Sequence, residues 1–171
     1  VVDNTFATPI NQHPGALGAD LIIHSATKYL SGHNHVLGGI VCGDEDLVET
    51  VYRHRELTGP SMQAHTASQL LHSIRTLGLR VQRQNENAMV IAAFLHDRPE
   101  VATVFYPGLE DHPGHEVAVK QMTGFGGVLS FTLRGGMEAV RAFLPRLQLA
   151  YLAANLGQVE TVVGPAAVTS H

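Results

Sequence analysis

Three short apolar runs, "VVDN", "ADLIIHS" and "LGGIVCGD", open the chain, each bounded by Gly, Asp or Asn. This is the pattern of buried strands in a covered sheet, so the first third is expected to be α/β in character. Cys42 lies in the third run, where a buried structural thiol is expected. As the single cysteine it has no internal disulfide partner, which fits a reducing compartment such as the cytoplasm.

Helical patterning follows. "DEDLVETVYRHREL" has acids at its start and basic residues near its end, as a helix dipole prefers, and Gly59 with Pro60 stops it. Ala67, Leu70, Leu71, Ile74 and Leu77 recur at helical spacing, and after Gly78 the pattern resumes through Ala88, Ile91, Ala92 and Leu95. One long or once-broken helix is expected here. From Asp97 to Pro99 the character changes to shorter alternations. "VATVFY" and "GGVLSFTL" read as strands, "GHEVAVKQM" and "GMEAVRAFLPRL" as helices, together an α+β second unit. No repeat or low-complexity linker separates the two parts, which puts the boundary inside the long helix.

With 171 residues and 44% hydrophobic residues, the chain can bury a genuine core. A formal net charge of -4 gives no broad positive field, so nucleic acid and anionic membrane are not expected partners, and small molecules and proteins remain. The longest uncharged apolar run, Ala88 to Leu95, is too short to span a bilayer, and Val1 opens no targeting pattern. The strand-like start at Val1 and the stop at Thr169, Ser170 and His171 suggest a chain cut at both ends.

The chain has two lysines, Lys28 and Lys120, against nine arginines. Lys120, in "AVKQM", reads as a surface helix residue. Lys28, in "HSATKYLSGHNH", follows an apolar strand, on the turn where α/β sheets place ligands. A lone lysine after a strand is usually just solvent-exposed. Here Ser25 and Thr27 alternate with Ala26, so their hydroxyls are expected to point together at an anion. A deprotonated lysine forms a Schiff base with an aldehyde cofactor. Pyridoxal phosphate requires such a lysine, donors for its phosphate and a carboxylate for its pyridine nitrogen. Lys28, Ser25 and Thr27 offer the first two, and Asp3, ending the preceding strand, offers the third.

"VVDNTFATP", "LGADLIIHSATKYLSGH" and "VLGG" resemble the cofactor-lysine region of the pyridoxal-phosphate enzymes of cysteine and methionine metabolism. "RTLGLRVQRQNENA", "VFYPGLEDHPGHEVAVKQMTGFGGVLSF" and "ETVVGPAAVTSH" match the same family in the same order. "YPGL", "HP" and "QMTGFGG" are most similar to cystathionine gamma-synthases, with gamma-lyases and homoserine-ester sulfhydrylases close behind. The resemblance implies an α/β fold of the fold-type I, aspartate-aminotransferase-like class. Residues 1–80 would be the C-terminal part of the large cofactor-binding domain, and 81–171 a small α+β C-terminal domain truncated at its end. It implies pyridoxal 5'-phosphate as cofactor, Lys28 as Schiff-base and proton-shuttling lysine, and Asp3 on the pyridinium nitrogen. Ser25 and Thr27 would bind the phosphate, Thr5 would support the ring, and Asn155 would meet the substrate carboxylate. It further implies a small amino-acid substrate, gamma-replacement on an O-acylhomoserine by cysteine or the related gamma-elimination, and a cytoplasmic homotetramer built as a dimer of dimers.

Some residues depart from the family pattern. Asn155 stands where synthases and lyases usually have serine, Gln158 where a glycine or acid is usual, His35 where aspartate is common, and His72 and Ser73 where many members have Arg and Gly. Family members are more than twice as long, and the absent parts carry the phosphate loop, the ring-stacking tyrosine and the arginine for the substrate carboxylate. The isolated chain is therefore expected to be nearly inactive. A non-catalytic role in subunit assembly and a metal-dependent hydrolase built on His24, His33 and His35 are the competing classes. No second Cys or acidic cluster completes a metal set nearby, and no metal is expected. Arg75, Arg80 and Arg83 read as a solvated or subunit-facing helix side.

Overall fold

A computed structural model describes residues 1–166. The end of the "ETVVGPAAVTSH" motif, including Thr169, Ser170 and His171, lies outside the described residues.

The three opening runs form one sheet: β1 (Val2–Asp3), β2 (Leu21–Ser25) and β3 (Gly39–Gly43), in the order β1-β2-β3. β1 runs parallel to β2, pairing Asp3 with Ile23, and β3 runs antiparallel, pairing Ser25 with Gly39. Between β1 and β2 the chain folds back through α1 (Thr8–Asn11), which the buried Asn4 side chain holds by donating to the carbonyls of Thr8 and Gln12 at 3.1 and 3.0 Å.

The expectation of a covered sheet is only partly met. Within this chain the sheet has three strands, both β1 residues are exposed, and β3 is an edge. Cys42 is accordingly exposed and not a buried thiol. An apolar run marks a strand that can be buried, and on the edge strand β3 nothing among the described residues covers Cys42.

α2 (Glu45–Thr58) forms as its charges dictate. Asp44 caps it by accepting from the backbone N–H groups of Asp46 and Leu47, and Gly59, at φ 89°, ends it in the left-handed region. The long helical pattern resolves into α3 (Ala64–Ile74) and α4 (Leu77–His96), broken at Arg75 and Thr76. The break falls just ahead of the expected Gly78, which lies inside α4. The second unit follows the expected order: β4 (Val101–Phe105), α5 (His115–Gln121), β5 (Ser130–Leu133) and α6 (Gly136–Phe143), with β4 and β5 antiparallel. Two-residue strands β6 (Tyr151–Leu152) and β7 (Val162–Val163) then pair in parallel and close the base of the intervening loop.

Among the described residues there are two apolar cores, and α4 contributes to both. Its Leu77 and Val81 pack with Ala26, Tyr29, Leu30, Val36 and Leu70, whereas its Ala88 and Ala92 pack with Val101, Val104 and Tyr106. The helix thus passes from one core to the other between Val81 and Ala88. A reciprocal amide pair, Asn11 with Asn85 at 2.9 and 2.8 Å, ties α1 to α4, and Asn85 Oδ1 also accepts from Gly126 N–H at 3.0 Å.

Candidate active site

β2 stops at Ser25 because the chain turns there. Ala26–Leu30 form a wide turn in which Ser31 N–H reaches the Ala26 carbonyl at 3.1 Å and Gly32 N–H reaches that of Lys28 at 2.8 Å. Lys28 sits within this turn with φ −92° and ψ −124°, outside the helical region. The turn is anchored from below by buried Ala26, Tyr29 and Leu30. From the side, Arg80 donates to the Tyr29 carbonyl at 2.8 Å, the Ser73 carbonyl at 3.0 Å and the Leu30 carbonyl at 3.4 Å. Arg80 is thus not on a solvated helix face. Burial pulls its guanidinium below the usual range, and among the described residues it has no carboxylate partner within ion-pair distance.

A cavity of about 310 Å³ opens at the strand ends, lined by Asp3, Thr5, Phe6, Ser25 and Lys28. Four of the residues singled out in the sequence therefore share one space. Phe6 was not anticipated, although it directly follows Thr5. Thr5 is the organiser: its Oγ1 accepts from Ser25 N–H at 2.7 Å. The Thr5 hydroxyl and, at 2.9 Å, its backbone N–H also serve the Asp3 carboxylate. The Thr5 hydroxyl, then its backbone N–H, then the charge of His24 hold the Asp3 carboxyl below the usual carboxylate range, against a desolvation that raises it. The carboxylate is exposed towards the cavity and ready to meet a cation.

Thr27 is placed differently from the expected convergence with Ser25. It does not line the cavity, and its Oγ1 accepts from Gly38 N–H at 3.1 Å and lies 3.4 Å from the Gly38 carbonyl. Strand alternation, the basis of that expectation, ends where β2 ends.

The loop between β6 and β7 brings Asn155 to Lys28 across 127 positions of sequence, with Nζ donating to Asn155 Oδ1 at 2.5 Å. The loop is seated by Val159 N–H on the Gly32 carbonyl at 3.0 Å and by Gln84 Nε2 on the Gln158 carbonyl at 3.0 Å. Gly157, at φ 81°, lies against the Lys28–Tyr29 backbone, where a Cβ would come within 2.5 Å of Tyr29 N. Gly157 and Gln84 carried no functional signal in the sequence read residue by residue, and Arg80 read as part of a solvated or subunit-facing helix side.

His33 and His35, with ring centroids 5.6 Å apart, line a separate open groove of about 680 Å³ with His72, Ser68, Ser73 and Thr76. His24 is buried, and burial lowers its imidazole below the usual value. Among the described residues no cluster of three or more His, Cys, Asp or Glu is arranged to hold a metal, and no helix is long and apolar enough to cross a membrane.

The donor set of the cavity fits pyridoxal phosphate: a carboxylate for a protonated ring nitrogen, a primary amine for an aldehyde and a hydroxyl for a phosphate. The comparisons with known proteins agree. A family model described as Cys/Met metabolism PLP-dependent enzyme matches residues 1–171. Cystathionine gamma-synthase 1, chloroplastic, of Arabidopsis thaliana is 45% identical over 170 residues, covering 99% of this chain and 30% of that protein. Cystathionine gamma-lyase of Bacillus subtilis is 45% identical over 172 residues, covering 100% of this chain and 45% of that protein. Among solved structures, cystathionine gamma-synthase from Xanthomonas oryzae pv. oryzae in complex with cystathionine superposes with a TM-score of 0.94 at 42% identity, covering 98% of this chain and 44% of that one. The chain thus spans less than half the length of these relatives and shares their α/β fold over that part. With an Asp–Thr–Lys cavity at the strand ends and a family match along its whole length, the chain belongs to the Cys/Met metabolism PLP-dependent enzymes.

Proposed function

We propose that the protein to which this chain belongs is a transsulfuration enzyme catalysing gamma-replacement on an O-acylhomoserine by cysteine, as a cystathionine gamma-synthase does. The observation that carries this reading is the shared cavity of Asp3, Thr5, Ser25 and Lys28. When bound, the cofactor supplies an aldehyde for amines and an electron sink for carbanions. Asp3, kept ionised by Thr5, would hold the ring nitrogen. Ser25 and Thr27 would bind the phosphate, Thr27 by exchanging its bond to Gly38. Lys28 Nζ would attach the cofactor, then take and return protons at the substrate's carbons. Asn155 would present its amide to the substrate carboxylate. Residues 1–80 would belong to the large cofactor domain and 81–171 to the small domain, a division supported by the passage of α4 between the two cores. A homotetramer of close dimers in the cytoplasm completes the reading, and residues 1–171 alone would be nearly inactive.

Gamma-elimination is the second reading, because the matched gamma-lyase is as similar as the synthase. Asn155 in "ANLG" also favours a homoserine-ester sulfhydrylase. The test is borohydride reduction of the full-length protein with pyridoxal phosphate, followed by peptide mapping. A pyridoxyl group fixed on Lys28 and not Lys120 is expected, and its absence from Lys28 would overturn the cofactor assignment. An O-acylhomoserine with cysteine should then yield cystathionine; a keto acid and ammonia whether or not cysteine is present would select the lyase.

A further inference from the structure

Asn34 combines two features. Its φ is 57°, in the left-handed region that asparagine tolerates better than most residues. Its Oδ1 accepts a 2.9 Å hydrogen bond from Asn155 Nδ2. The other end of the Asn155 amide, Oδ1, accepts from Lys28 Nζ. A primary amide has one accepting end and one donating end. Reversing it would set its N–H groups against the lysine and its oxygen against the oxygen of Asn34, losing both contacts together. The bonds that seat the loop, Val159 to Gly32 and Gln84 to Gln158, use main-chain atoms of the loop and leave the Asn155 side chain free to turn. Lys28, which donates and does not accept, selects the oxygen end, and among the described residues it is Asn34 that holds the nitrogen end in place.

We propose that Asn34 is a positioning residue for Lys28, acting through Asn155. By accepting from the amide nitrogen it holds the amide oxygen on the lysine, which restrains the amine in one place. The left-handed backbone is what aims the short Asn34 side chain back across the loop. The importance of this relay rests on the reading of Lys28 as the cofactor lysine, but its existence does not.

The two lysines of this chain supply an internal control, since Lys120 is exposed on α5. The full-length protein, stripped of cofactor, is treated with limiting acetic anhydride, and acetylation at Lys28 is divided by that at Lys120. Asn34→Gly removes the acceptor while accepting the positive φ, and should raise the ratio about three- to tenfold, the effect of losing one neutral amide–amide hydrogen bond. Asn34→Asp keeps an oxygen at the same reach and should stay within about twofold of the parent. Asn155→Ala should raise the ratio by itself, and adding Asn34→Gly to it should add nothing. An unchanged ratio in Asn34→Gly, an equal rise in Asn34→Asp, or a full additional rise in the double variant would each overturn the proposal. If Asn34→Gly does not fold, Asn34→Ser, whose hydroxyl is too short to reach, is read by the same ratio and the same criteria. Borohydride reduction with pyridoxal phosphate separates the two claims. Label on Lys28 with no change in ratio defeats the relay alone, whereas a changed ratio with no label on Lys28 defeats the cofactor reading alone.

Discussion

Replacing Arg80 with methionine keeps most of the aliphatic stem and removes the fork that holds the Lys28 turn. Two short bonds to main chain disappear, to the carbonyls of Tyr29 at 2.8 Å and Ser73 at 3.0 Å, together with a long one to Leu30 at 3.4 Å and an exposed one from Nε to Thr76 Oγ1 at 3.1 Å. Tyr29 and Leu30 are buried, so their carbonyls have no easy replacement donor, whereas the Ser73 carbonyl keeps the Thr76 N–H and hydroxyl. A hydrogen bond from a charged donor contributes about 1.5–3 kcal/mol. Counting the two short ones to main chain, and discounting by about half because the guanidinium is only half-buried, gives a loss of about 1.5–3 kcal/mol. Arg80→Lys should fall between, since an ammonium can meet one carbonyl but not the pair. Urea denaturation at fixed protein concentration measures the difference, and pyridoxyl incorporation at Lys28 reports whether the turn itself has loosened. A change within about 0.5 kcal/mol, the ordinary range of surface substitutions, would refute the argument and return Arg80 to a solvated helix face.

Gly157→Ala puts a Cβ within 2.5 Å of Tyr29 N and 2.9 Å of Lys28 C at a φ of 81°; backbone cannot yield as a side chain can, so the loop should lift, costing at least about 1–2 kcal/mol and raising Lys28 acetylation relative to Lys120. Thr5→Val keeps the shape of the side chain but strips a donor from Asp3 and an acceptor from Ser25 N–H. It should lower the unfolding free energy by about 1–3 kcal/mol and weaken cofactor retention in dialysis, with Thr5→Ser restoring both. His24 is buried with its imidazole pushed below the usual 6.5, so the unfolded chain takes up its proton first as pH falls. Its contribution is therefore complete above 6.5 and is lost as pH drops through the lowered folded value. Asp3, also held low, acts in the same direction below 3.8. The urea midpoint should fall between about pH 7.5 and 5.5, and less steeply in His24→Gln; a midpoint that rises on acidification would contradict the sign.

The elements were legible in the sequence wherever one local force decides them. Asp44, Glu45 and Asp46 against Arg55 and Gly59 bound α2 as written, and the apolar spacing from Ala67 to Leu95 gives α3 and α4. The break at Arg75 and Thr76 was offset from Gly78 because a lone glycine weakens a helix without ending it. Burial of the opening strands was overstated, since Cys42 and both residues of β1 are exposed: an apolar pattern marks a strand that can be buried and does not supply what covers it.

The site divides along the same line. Lys28 was legible from its place after a strand, and Asp3 from the end of the neighbouring one, because parallel pairing of β1 with β2 brings strand ends together. Thr27 lies past the last residue of β2, where alternation no longer sets the direction of a side chain, and its hydroxyl meets Gly38. Arg80 escaped because helical periodicity distinguishes apolar from polar positions but not a guanidinium facing water from one facing three main-chain carbonyls. Asn155 was assigned by resemblance alone, and nothing local announces that Gly157 lets its loop lie on the Lys28 backbone. Local patterning thus locates the groups that must be present, whereas their alignment depends on donors and close approaches set by distant segments. The reactivity of Lys28 should accordingly respond to Arg80, Gly157 and Asn34, none of which lines the cavity, and should be indifferent to a solvent-facing substitution such as Arg53→Ala on α2, whose guanidinium meets Glu49 on the same helix.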